Sequence, residues 1–135
     1  MAAEGQPPLI RITVFAQHNP KLSESEFNEH WATKHGPLVA EWLQKNGIVK
    51  YVQYHTTSEA RGLLSLPTLS FDGVAEFWVK DYRDFENAYS DPFYHEVVKK
   101  DEEYLFDVST MRVTAGIELS IIEDGKIVED PHGHL

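Results

Sequence analysis

With seven histidines and no cysteine, the chain can move protons near neutral pH, but thiolate catalysis, disulfides and thiolate metal sites are closed to it. His35 has the strongest local case. It follows Phe27-Asn-Glu-His30-Trp31 on a helical pattern and precedes Gly36-Pro37, where proline's missing amide and its clash with the preceding residue predict a break. A histidine at such a break is expected to stay accessible, with Trp31 shielding one side, and an ordinary pKa near ~6.5 suits general acid–base work. The alternative is a structural imidazole bonded to a helix carbonyl. His55 closes an alternating run in phase with Tyr51 and Gln53, which predicts a cavity wall carrying their polar tips. Its alternative is an exposed edge histidine. His18 reads as a turn residue, and His132 and His134 as parts of a polar tail.

Glu76, between Val74 and Trp78, is an unusual acid if it faces inward. Arg11 is then either its ion-pair partner or a bidentate contact for a substrate carboxylate. Phe15, Tyr51, Trp78, Phe93 and Tyr104 supply aromatic walls for a flat ligand, or simply core. Nucleotide-binding glycine loops and the G-x-S-x-G nucleophile elbow are absent from the sequence. His30 and His35 stand five apart, not at the H-E-x-x-H spacing, so no metal and no other cofactor is expected.

The elements that must position these residues follow from periodicity and punctuation. Residues 9–17 alternate as a strand, with Ile10, Ile12, Val14 and Ala16 suited to packing under helices and Arg11, Thr13, Phe15 and Gln17 forming a mixed opposite face. Ser23 and Glu26 have capping-box spacing, so a helix starts there, breaks at Gly36-Pro37, restarts at Pro37 and stops at Asn46-Gly47. Residues 48–55 form a second strand whose inward face is open to either phase, and 56–67 a loop. Residues 73–79 give a third strand, with Ala75, Phe77 and Val79 opposing Glu76 and Trp78. A short helix begins at Asp81, another runs from the Asp91-Pro92 cap to about Tyr104, and residues 110–119 form the fourth strand. Asp124-Gly125 is a turn.

This order is that of an α+β, ferredoxin-like domain over residues 9–123, a four-stranded antiparallel sheet with helices on one face, flanked by polar tails at 1–8 and 124–135. The second sheet face has no covering element in its own chain, so a homodimer closing a dimeric α/β barrel is expected. At 135 residues, with 41% hydrophobic and 25% charged side chains, the chain can bury a core of its own. A formal charge of −10 repels phosphate backbones, which argues against nucleic acid as a partner. No apolar run reaches the ~18 residues of a membrane span and no signal segment opens the chain, so a soluble cytoplasmic protein is expected.

The segment Phe27-Asn-Glu-His-Trp31-Ala-Thr-Lys-His35-Gly-Pro37-Leu-Val39 resembles the signature of the EthD-domain family, whose members are dimeric α+β barrels. Asn46-Gly47-Ile48-Val49, His55-Thr56-Thr57, Asp91-Pro92-Phe93, Asp101 and Phe106-Asp107 are similar to the fungal enzymes described as atrochrysone carboxylic acid decarboxylases. The resemblance implies a small-molecule substrate, an aromatic or pre-aromatic polyketide acid, and places polar site residues at His35, His55 and Asp107. On that basis the expected reaction is cofactor-free decarboxylation of a β-keto acid, with His35 and His55 as proton donors. The expected substrate contacts are Arg11, Phe15, Trp31, Tyr51, Gln53, Glu76, Trp78 and Asp107. Cyclisation or dehydration with a histidine base, or non-catalytic binding of an aromatic ligand, are the alternatives. His30 and His95 rest on position alone.

Overall fold

Strands β1 (Ile10–His18), β2 (Ile48–His55), β3 (Gly73–Val79) and β4 (Phe106–Ile117) pair antiparallel in the order β2-β3-β1-β4. In this computed structural model, which describes residues 8–131, all helices that contact the sheet lie on one face. Ile12, Phe77 and Val79 are buried there with Val39, Trp42 and Leu43, and the period-two alternation turns Arg11, Thr13 and Phe15 to the opposite face. The ferredoxin-like α+β architecture is the one expected from the element order.

The inward phase of β2, open in the sequence, is resolved by a bulge. Ile48 pairs with Val79 but Lys50 pairs with Trp78, so Val49 is the extra residue. The slip lets both Ile48 and Tyr51 pack against the helical side. A second irregularity lies in β4, which begins at Phe106 rather than at residue 110. Its register against β1 shifts between Phe15 and Gln17, and Thr110 Oγ1 accepts the Gln17 amide at 2.9 Å inside that bulge.

The structure corrects the expected helix break. α1 (Glu24–His30), a π turn (Trp31–His35) and α2 (Gly36–Lys45) run on without interruption, with His30, Trp31, His35 and Gly36 all in right-handed helical conformation. Proline lacks the amide an α-turn would need and crowds the turn before it; one extra residue in the turn relieves both, and Gly36, without a Cβ, tolerates helical geometry before proline. The capping box forms as read: Glu26 N donates to Ser23 Oγ (3.0 Å) and Ser23 N to Glu26 Oε1 (2.9 Å).

Within the expected loop 56–67 lies a short helix, α3 (Ser58–Gly62), capped by Thr57. α4 (Tyr82–Ala88) is capped by Asp81, and a second π turn (Tyr94–Val98) leads into α5 (Lys99–Leu105). Asp91 accepts the Phe93 amide at 3.0 Å, in keeping with its reading as a cap. Beyond the sheet, β5 (Ile122–Glu123) and β6 (Lys126–Ile127) form a hairpin around Asp124 (φ 53°) and Gly125 (φ 75°), a left-handed pair suited to a tight turn. The polar tail expected from residue 124 thus begins inside a hairpin. His132 and His134 lie outside the described residues.

Candidate active site

The π turn aligns two histidines that an α-helix would separate. Five residues at about 100° each leave side chains about 140° apart, and the wider turn closes much of that gap. His30 Nε2 and His35 Nδ1 each lie 2.8 Å from a different oxygen of the same carboxylate, Asp101 on α5. His35 is buried, contrary to the expected accessible imidazole. Burial pushes its pKa down, while the Asp101 carboxylate opposes that shift and His30 adds to it. With Nδ1–H donated to Asp101, Nε2 is the basic nitrogen of the neutral ring.

A cavity of about 40 Å³ lies between the sheet and the helices, bordered by His35, Trp31, Tyr51, Tyr89, Phe77 and Glu102 among others. That volume suits a few waters or the reacting end of a ligand. Tyr51 stacks on Phe77 with ring centres 5.1 Å apart, and burial pushes its phenol up to about 12. Glu102 accepts the Tyr94 hydroxyl at 2.6 Å, and burial raises its carboxyl above the usual range.

His55 does not border this cavity; it sits behind it. Its Nε2 lies 2.9 Å from Gln53 Oε1 and its Nδ1 2.6 Å from Asn28 Oδ1. Gln53 Nε2 in turn donates to Tyr51 Oη (3.1 Å) and to the Trp31 carbonyl (2.8 Å), the carbonyl that also accepts the Gly36 amide across the π turn. Tyr51, Gln53 and His55 therefore do stand together, but only Tyr51 meets the cavity. Burial alone pushes the His55 pKa down.

The sheet divides the remaining residues from this group. Arg11 and Phe15 border an open depression of about 310 Å³ on the opposite face, with Thr13 and residues 114–118. Arg11 pairs with Glu76, which is buried, and Trp78 donates its indole N–H to Glu118 on that same side. The expected substrate contacts are thus divided: strand alternation puts Arg11, Phe15, Glu76 and Trp78 on the side of the sheet opposite His35. Asp107 accepts the Ser109 hydroxyl at 2.6 Å within the β4 bulge. His18 lies 2.8 Å from Asp72, and His95 is exposed beside Tyr94.

Asp101 and Glu102 were not among the expected site residues. The signal was present: Val98 and Leu105 mark a buried helix stripe, and the two acids fall three and four residues after Val98 on that stripe. Buried-face acids need partners, and the histidines, tyrosine and cavity supply them.

The EthD domain model matches residues 19–109, and the chain belongs to the EthD family. Among named relatives it is 33% identical over 132 residues to dehydratase aurZ of Gibberella zeae, covering 92% of this chain and 87% of that one. It is 32% identical to the conidial pigment biosynthesis dehydratase EthD of Metarhizium robertsii (89% of each chain) and 25% identical to decarboxylase AgnL1 of Paecilomyces divaricatus (87% and 84%). An EthD family protein of Bacillus halodurans shares the fold at TM-score 0.59 and 13% identity over 82% of this chain and 99% of that one. A dimeric ferredoxin-like protein from an uncultured marine organism does so at 0.51 and 13% over 84% and 90%.

Proposed function

We propose that this protein is a lyase of polyketide tailoring that dehydrates a β-hydroxy ketone unit, with His35 as the base. The observation that carries the reading is the 2.8 Å contact of His35 Nδ1 with Asp101 at the edge of the cavity between sheet and helices. The carboxylate fixes the tautomer, so Nε2 takes the proton from the carbon beside the ketone, and the C–H pair becomes an enolate. Tyr51 accepts its bond from Gln53 and so keeps its own O–H proton to donate to the enolate oxygen. The enolate then collapses to the alkene, the C–O bond of the β-hydroxyl breaks, and the imidazolium returns its proton to the departing hydroxide as water.

Relatives named dehydratases at 33% and 32% identity support elimination of water. The decarboxylation expected from the sequence is the second reading, favoured by the relative named a decarboxylase at 25%. There the bond from the α-carbon to the carboxylate breaks, carbon dioxide leaves, the electron pair becomes an enolate, and a protonated His35 delivers its proton to that carbon. His35 bonded to a carboxylate, not to a backbone carbonyl, favours either reaction over simple ligand binding. The proposal includes a cytoplasmic homodimer. The open depression on the second sheet face and the dimeric ferredoxin-like neighbour support the dimer; among the described residues, no helix is long and apolar enough to cross a membrane.

Incubation with β-hydroxy and β-keto polyketide acids, followed by product mass, separates the readings. Loss of water that disappears in His35→Ala is expected. Loss of carbon dioxide alone selects the second reading, and binding without conversion overturns both.

A further inference from the structure

Two backbone carbonyls decide the protonation of a side chain they do not touch. Asn28 Nδ2 donates to the Glu24 carbonyl at 2.9 Å, and a carbonyl only accepts, so Asn28 must turn its Oδ1 to His55. Gln53 Nε2 donates to the Trp31 carbonyl at 2.8 Å, so Gln53 must likewise turn its Oε1 to His55. Both imidazole nitrogens thus face oxygen acceptors, at 2.6 and 2.9 Å. A neutral ring has one N–H and would set a lone pair against a lone pair on its other side. An imidazolium satisfies both.

The third neighbour agrees. The Trp31 ring lies 4.5 Å from the His55 ring, tilted by 42°, within range for an aromatic face to attract a cation. The groups facing His55 are Asn28 from α1, Trp31 from the π turn and Gln53 from its own strand, and none of the three is titratable. Burial works against the charge. Against burial stand two short bonds to amide oxygens and the indole face, each acting at contact distance in a partly buried site.

We propose that His55 is a positioning residue held as an imidazolium at neutral pH. Its two N–H groups clamp Asn28 and Gln53, lock the Gln53 amide with Nε2 towards Tyr51 and Trp31, and so keep Tyr51 an acceptor from Gln53 and a donor to the cavity. The clamp itself is independent of the reaction; its link to turnover rests on the role given to Tyr51 above. Protonation of His55 then governs turnover from behind the site, without His55 touching substrate.

Nitrogen-15 NMR of the histidine rings across pH reads the clamp with no substrate present. Both His55 nitrogens are expected to be protonated at pH 7, with a titration midpoint above the ordinary ~6.5. A ring neutral at pH 7 overturns the proposal. Asn28→Asp replaces the amide oxygen by a carboxylate in the same place, and a neighbouring opposite charge is expected to raise that midpoint by about one pH unit or more. The alkaline limb of kcat should move upward with it, while KM stays within about twofold. A midpoint that moves while the limb stays fixed contradicts control of turnover by His55, even where the clamp and the overall reaction stand. Gln53→Glu provides a second arm: it still accepts from His55 but loses the donor to Tyr51 and Trp31, so kcat should fall about tenfold or more in a folded protein with His55 still protonated. Unchanged kcat there removes Gln53 from the line.

Discussion

Gln53 reaches from β2 to the main chain of the π turn, its Nε2 donating to the Trp31 carbonyl at 2.8 Å. Gly36 leaves the space for that approach: a Cβ at this position would lie 3.3 Å from Gln53 Nε2 and 3.6 Å from the Trp31 oxygen. Gly36→Ala is therefore expected to displace the Gln53 amide, while alanine's helical preference of up to about 1 kcal/mol offsets the crowding of its Cβ against Pro37. Turnover should drop about fivefold or more with the melting temperature nearly unchanged. Paired kinetics and thermal unfolding check it; full activity would show that the glutamine tolerates displacement.

Stability should carry the mark of His35 in its pH dependence. Burial holds its folded-state pKa below the ordinary value, so the unfolded chain binds more protons between the two values. The stabilisation is complete above the unfolded pKa near ~6.5 and is lost as pH falls through the folded one. Glu102, raised by burial, acts with the opposite sign: its contribution is full below the unfolded carboxyl pKa near ~4.3 and is lost as pH rises through its folded one. Comparing urea unfolding of the wild type with His35→Gln isolates the histidine. The variant should lose less stability than the wild type between about pH 7 and 5, and equal losses would show that His35 does not carry the slope.

On the opposite sheet face, Arg11 and Glu76 form an ion pair with side chains 40% and 10% exposed. Removing the arginine leaves the buried carboxylate without its charge partner. Arg11→Leu should cost about 1–3 kcal/mol, less than for a fully buried pair because water screens the exposed guanidinium. Arg11→Leu combined with Glu76→Leu should recover part of that loss. A double-mutant cycle in denaturant gives the coupling, and a double variant weaker than the sum of the singles would refute the stranded-charge explanation.

Alternation and capping made the frame legible: Ile12 and Phe77 inward, Ser23 and Glu26 at a helix start, Asp81 and Asp91 at two more. Two features that alternation and punctuation did not give, the continuous helix and the inward phase of β2, share one cause, a residue added inside a regular element. A proline in a helix reads as a break, yet the π turn absorbs Pro37 and thereby brings His30 and His35 to one carboxylate. The β2 bulge at Val49 lets Ile48 and Tyr51 face the same side, which strict alternation forbids. His35, Tyr51 and Gln53 were visible as residue types at element ends and on one phase. Asp101 lay 66 residues from His35 in the chain, and only α5 packing against the π turn places it there.

The direct trial of the base is the turnover of Asp101→Asn. Asparagine keeps the shape but removes the charge and can turn its N–H₂ towards the ring, so His35 is no longer held with Nε2 basic. With the fold intact by circular dichroism, kcat should fall ~10²-fold or more, and the acid limb of the pH–rate profile should shift to lower pH as His35 loses the anion that supports its proton. Turnover within about threefold of wild type, with the acid limb unmoved, would contradict a base held by Asp101.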